Sequence, residues 1–190
     1  MNVRFDLVES APSMSPSNAS ERPNPSARNP LDVIASAHAV QADMCDDMER
    51  IADGLPDEVD RRLCARVASC LEFDLPLHHH DEEHALFPLL RKRALPEDGL
   101  DRILERLAAE HASDNDFASE IAEALERLGQ GGRPQNPEML GYMLRGFFER
   151  YRRHVQWENT LVMPLARLRL TADDLITLQA QLSENRRQAG

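Results

Sequence analysis

Two four-residue motifs carry most of the chemistry in this chain. His78-x-x-x-Glu82 and His154-x-x-x-Glu158 each pair an imidazole with a carboxylate four residues apart, and on a helix that spacing puts both side chains on one face. Imidazole and carboxylate together suit iron, manganese or zinc. A single pair of this kind is more often a surface ion pair than a ligand set. Here, however, the two pairs occupy equivalent places in an internal repeat. LHHHDEEHALFPLLRKR (77–93) aligns with RHVQWENTLVMPLARLR (153–169) at an offset of 76 residues, placing His78 over His154, Glu82 over Glu158 and Pro88 over Pro164. Upstream, Leu31, Ile34 and His38 match Leu104, Leu107 and His111 at an offset of 73. Each half supplies one lone histidine followed by one His/Glu pair.

The elements that position these residues read as helices. Apolar residues recur at helical spacing over 30–53, 57–94, 100–129 and 137–170, and no alternating strand pattern of useful length competes. Asn29-Pro30 suits a capped helix start, Gly54-Leu55-Pro56 a stop, and Pro76 a bend in the second helix. The third helix carries Leu104, Leu107, His111, Ala118 and Ile121 on one stripe; the fourth carries Phe147, Tyr151, His154, Glu158, Leu161, Leu165 and Leu168. Short connections predict an all-α, up-down-up-down four-helix bundle over 30–170, built from two αα-hairpin repeats. Thr171-Ala-Asp-Asp174 resembles a capped start for a short C-terminal helix (171–190) packing on the bundle. Residues 1–29, rich in Ser, Pro and Asn, read as a flexible tail, because ordering them would cost entropy without apolar return.

His78 and Glu82 fall on the stripe Leu71, Leu75, His78, Glu82, Leu89, and His154 and Glu158 on that of the fourth helix. The bundle interior thus receives His38, His78, His111 and His154 with two carboxylates. Burying two ionised carboxylates without cations costs several kcal/mol each; two metal ions would supply the missing charge. The expectation is a dinuclear metal site. His79 with Glu83 is the nearest competing pair, but Asn159 stands opposite Glu83 in the repeat and only one helix face can look inward. His80 and His84 have no counterparts (Gln156, Thr160) and read as surface or lateral-packing residues. Cys45 reads as a small core residue, and Tyr151 lies one turn before His154, where it could line the site or simply pack.

Composition narrows the partners. The 190 residues carry 22 Lys and Arg against 33 Asp and Glu, a net charge of -11. Neither the basic face of a nucleic-acid binder nor a polybasic membrane anchor is present, and no apolar run approaches the roughly 20 residues of a spanning helix. MNVRFDLVES lacks the layout of a secretory signal. Cys45, Cys64 and Cys70 form neither a CxxC motif nor an even disulfide framework, which points to a reducing cytoplasm.

Over about 31–170 the chain resembles hemerythrin-like, HHE cation-binding domains. The likeness rests on His38, on the segment His78-His-His-Asp-Glu-Glu-His-Ala-Leu-Phe-Pro88, on Glu110-His111, and on His154-x-x-x-Glu158 with Pro164. Ferritin-like di-iron bundles use Glu-x-x-His instead. The resemblance implies a non-haem di-iron centre with an oxo or hydroxo bridge, held by His38, His78, Glu82, His111, His154 and Glu158. It also implies oxygen or nitric oxide as the small ligand. Iron storage or donation for repair, and oxidase or peroxidase chemistry, are the alternatives. Oxygen-carrying hemerythrins have a second histidine four residues after the one on the third helix, and this chain has Asn115 there. If both carboxylates bridge, His38 and His78 would serve one iron and His111 and His154 the other. Each iron would then keep one open position, an arrangement that favours rapid oxidation in air over oxygen carriage.

Overall fold

The computed structural model describes residues 29–189, all helix and connecting turns, with no strand among the described residues. Apart from Asn29, the expected tail lies outside the described residues. Helix α1 (Pro30–Gly54) starts where Asn29 accepts the Leu31 N–H at 3.0 Å and Pro30 fills the first turn. Helix α2 (Arg61–Ser69) starts later than the 57 expected, because Asp60 accepts the N–H groups of Arg62 and Leu63. The rod continues through a π turn (Cys70–Asp74), α3 (Leu75–Asp81), a second π turn (Glu82–Leu86) and α4 (Phe87–Arg93). Gly99, at φ 59°, makes the left-handed step into α5 (Leu100–Gly129). Then come α6 (Pro137–Trp157), a third π turn (Glu158–Val162), α7 (Met163–Arg169) and α8 (Ala172–Ala189), the last within the 171–190 expected of a C-terminal helix.

All three π turns stand before a proline. Their wide bonds run from Leu75 N–H to Cys70 O, Phe87 N–H to Glu82 O and Met163 N–H to Glu158 O. The residue after each of these three donors is a proline, Pro76, Pro88 or Pro164. A proline ring clashes with the carbonyl four residues back and offers that carbonyl no donor. Inserting one residue into the preceding turn moves the carbonyl aside without breaking the rod.

The inserted residue also rotates everything after it. The fourth stripe, expected to run on through Leu161, Leu165 and Leu168, instead buries Val162, Met163 and Ala166, leaving Leu161 43% and Leu168 71% exposed. Likewise Leu90, not Leu89, is fully buried after Glu82.

Helix α1 packs along α6, and α2 along α5. The apolar interior divides in two. One cluster is centred on Met48, Cys64, Leu71, Leu125 and Phe147; the other on Ile34, Leu86, Leu90, Leu104 and Val162. Between them lies a layer of buried polar side chains: His38, His78, His79, Glu82, His111, His154 and Glu158. Helix α8 adds Leu178 and Leu182 to the second cluster. It is capped reciprocally, with Thr171 N–H donating to Asp174 Oδ2 (3.0 Å) and Asp174 N–H to Thr171 Oγ1 (3.3 Å).

Candidate metal centre

The ligand-type atoms of the polar layer gather in two groups. His38, His78, Glu82 and Glu158 form one, His79, His111 and His154 the other; within each group all the atoms lie within 4.8 Å of one another. The six residues singled out by spacing and resemblance therefore share one layer, and a seventh, His79, joins them. His79 is 1% exposed, which corrects its expected place off the inward face. Residues 78 and 79 straddle the inward direction, so both rings enter the layer.

The carboxylates lie between the groups. Glu82 Oε1 is 3.4 Å from His38 Nε2, while its Oε2 is 3.4 Å from His78 Nε2 and 3.5 Å from His111 Nε2. Glu158 turns Oε2 toward His38 Nε2 (3.3 Å) and Oε1 toward His111 (3.5 Å) and His154 (3.0 Å). Each side chain thus reaches both groups, as a bridging carboxylate must.

Outside this layer, partners set the rings. Nδ1–H donates to Asn159 Oδ1 from His38 (2.8 Å), to Asn115 Oδ1 from His79 (2.8 Å), to Glu83 Oε1 from His111 (2.8 Å) and to Glu110 Oε2 from His154 (3.0 Å). For His38, His79 and His111 this leaves the Nε2 lone pair for the interior, and for His154 it does so once the ring gives up its second proton, the arrangement usual for metal-bound histidine. Glu83 and Asn159, matched in the repeat, do matched work: each comes from one half and orients the lone histidine of the other. Asn115 stands where oxygen carriers have a histidine. Here it holds His79, so an imidazole reaches the layer from the second helical rod instead of from α5. The only sequence signal for this was the run of three histidines beside an asparagine at 115.

Charge in the layer is strongly perturbed. Burial, then the adjacent Glu158, push Glu82 well above the ordinary carboxylate range. Burial would raise Glu158 too, but the imidazoles of His111 and His154 overturn this and hold it well below that range. Burial pushes His78 down to about 3. His154 resists burial through Glu158 and Glu110 and rises to about 9. Tyr151, fully buried, lies with Oη 3.1 Å from His79 Nε2 and its ring stacked on His154, so it lines the layer.

A metal fits these residues. Among the buried side-chain atoms without a hydrogen-bond partner are His78 Nε2, Glu82 Oε2 and both oxygens of Glu158, all in this layer. Leaving such atoms buried and unpartnered is costly, and several at one place call for a cation.

A family model described as hemerythrin HHE cation binding domain matches residues 29–166. No curated protein and no solved structure matches the chain.

Proposed function

Because the chain belongs to the hemerythrin HHE cation-binding family, we propose that its polar layer holds a dinuclear metal centre that binds a diatomic ligand, oxygen or nitric oxide. The ligands would be His38, His78, Glu82, His111, His154 and Glu158, with His79 added. The long helical rods would form an up-down-up-down four-helix bundle around them. Iron is the first choice of metal, with manganese or zinc as alternatives; all three take imidazole and carboxylate. The observation that carries this reading is the position of the two carboxylates, each within reach of both groups and each with an orphaned oxygen. A reduced di-iron pair supplies electrons to a bound diatomic. The chain's residues supply fixed imidazoles, a dry interior and an asymmetric ligand count.

That asymmetry revises the expectation of two open positions. His79, His111 and His154 would give one ion three nitrogens, whereas His38 and His78 give the other two. Only the second ion keeps a free position. This count supports uptake of a single small ligand per centre over unguarded oxidation. A cytoplasmic location accords with Cys45, Cys64 and Cys70, all unpaired. Among the described residues no helix is long and apolar enough to cross a membrane.

Metal analysis combined with anaerobic titration of the reduced protein tests this reading. Two metal ions per chain are expected, with an optical change that saturates at one nitric oxide per pair of irons. Metal-free protein after reconstitution, or saturation at two per pair, would overturn it.

A further inference from the structure

Two histidines play no part in the buried centre. His80, at the end of α3, and His84, in the π turn that follows, are both exposed and four residues apart. Their rings stack with centroids 4.2 Å apart and planes 21° from parallel. His84 Nδ1–H donates to the His80 carbonyl oxygen at 3.3 Å, which fixes the His84 tautomer and leaves its lone pair on Nε2.

We propose that His80 and His84 form a separate, exposed chelating site for a first-row divalent cation such as nickel, zinc or copper. Two imidazoles one turn apart on a helix present both nitrogens to one ion, and imidazole is the protein ligand these ions share. Stacking already holds the two rings side by side; because stacked rings carry nearly parallel lone pairs, binding requires a change of ring tilt that turns both nitrogens toward one ion. The carboxylates between them are committed elsewhere. Asp81 accepts from Asn185 Nδ2 at 2.8 Å and pairs with Arg186 Nη2 at 3.0 Å, and Glu83 accepts from His111. Water would complete the coordination. The ion would sit on the outer side of the same two turns whose inner side carries His78, His79 and Glu82, where a cation bound for the buried layer could first be captured. The site does not depend on which metal fills that layer.

Calorimetric titration of the full chain with nickel, alongside His80→Ala and His84→Ala, tests the proposal. The wild type should take up one equivalent more than either variant, while the buried metal content stays equal in all three. Counting the difference cancels any nickel that enters the buried layer. Equal uptake by all three proteins, or a loss in only one variant, overturns the chelating pair. Paramagnetic broadening gives an independent reading: the His80 and His84 ring protons should broaden together and before other histidines, and broadening of neither would also overturn it.

Discussion

His154 sits between two carboxylates, 3.0 Å from Glu158 Oε1 through Nε2 and 3.0 Å from Glu110 Oε2 through Nδ1. Burial alone would lower its pKa, but these neighbours raise it to about 9. Glu82, pushed up by burial and by Glu158, stays a neutral acid beside it. The metal-free layer thus balances its charge with protons: one on His154, one on Glu82, against an ionised Glu158. Metal ligands must be deprotonated, so metal uptake near pH 7 should release about two protons. Calorimetry in two buffers of different ionisation enthalpy counts them, and release near zero would rule out this balance. The same shifts set how metal-free stability varies with pH. His154 is raised on folding, so its contribution is fully present below about 6.5 and is lost as pH rises through about 9. Glu82 acts in the same direction, since unfolding lets it ionise above its ordinary 4.5. His78, pushed down by burial to about 3, opposes them up to the ordinary histidine range, so the fall shows above it: metal-free protein should melt at progressively lower temperature from about pH 7.5 to pH 9. A second test at this scale concerns His79. His79→Ala should reduce bound metal or leave one weakly held ion. Asn115→Ala, which removes only the 2.8 Å acceptor for Nδ1, should weaken affinity by roughly 10- to 100-fold, as loss of an orienting partner usually does. Chelator competition measures both, and wild-type affinity in His79→Ala would exclude it as a ligand.

At the scale of helices, the prolines decide which side chains meet the metal. Pro88 and Pro164 each stand six residues past a centre carboxylate, with a π turn filling the interval. Alanine is a better helix former than proline by about 3 kcal/mol in a helix interior, so local propensity alone predicts that Pro164→Ala stabilises the protein. The geometry predicts the opposite for metal. If the turn relaxes to α-helix, the residues after Glu158 rotate back, Val162 and Ala166 leave the interior, and the carboxylate shifts relative to His154. Pro164→Ala should lose at least tenfold in metal affinity by chelator competition; unchanged affinity with a higher melting temperature would show that the turn does not need its proline. The same turns explain what could be read from the residues alone. The helical rods, the repeat and the lone histidines follow from spacing, because the 3.6-residue period holds without interruption through α1 and α5. Leu161 and Leu168 fall on the exposed side, and Leu89 and Leu165 only half-bury against the second cluster, because an ordinary helical period carried across a π turn drifts by one residue. Position 79 escapes the spacing argument because a narrow inward stripe admits one residue per turn, whereas a polar layer filled by bulky rings takes two adjacent ones.

Across the whole molecule, α8 ties its own docking to the centre. Asp81 is 2% exposed, and it holds Asn185 and Arg186 of α8 while standing immediately before Glu82. At the other end of α8, Asp174 accepts from Arg93 at 2.7 and 3.1 Å, and Leu178 and Leu182 enter the cluster that also contains Ala85 and Leu86 from the π turn after Glu82. Fixing Glu82 from inside should therefore steady the clamp outside. A metal that binds only the folded state at 100 times its dissociation constant adds about 2.7 kcal/mol, which for a domain of this size corresponds to roughly 5 to 10 °C in melting temperature. Stripping the metals should cost that much overall, and the loss should not be spread evenly. With the cation gone, the side chains of the layer lose their shared partner, the turn Glu82–Leu86 loosens, and Asp81 moves with it. Hydrogen exchange should then accelerate first in 172–189, ahead of α1 and α5, whose buried stripes extend well beyond the layer on both sides. Exchange followed by mass spectrometry on loaded and stripped protein distinguishes this from uniform loosening. Asp81→Asn in the loaded protein should reproduce the faster exchange of α8 with the metal still in place. If α8 exchanges equally in loaded and stripped protein, its docking is independent of the centre and Asp81 is a clamp alone.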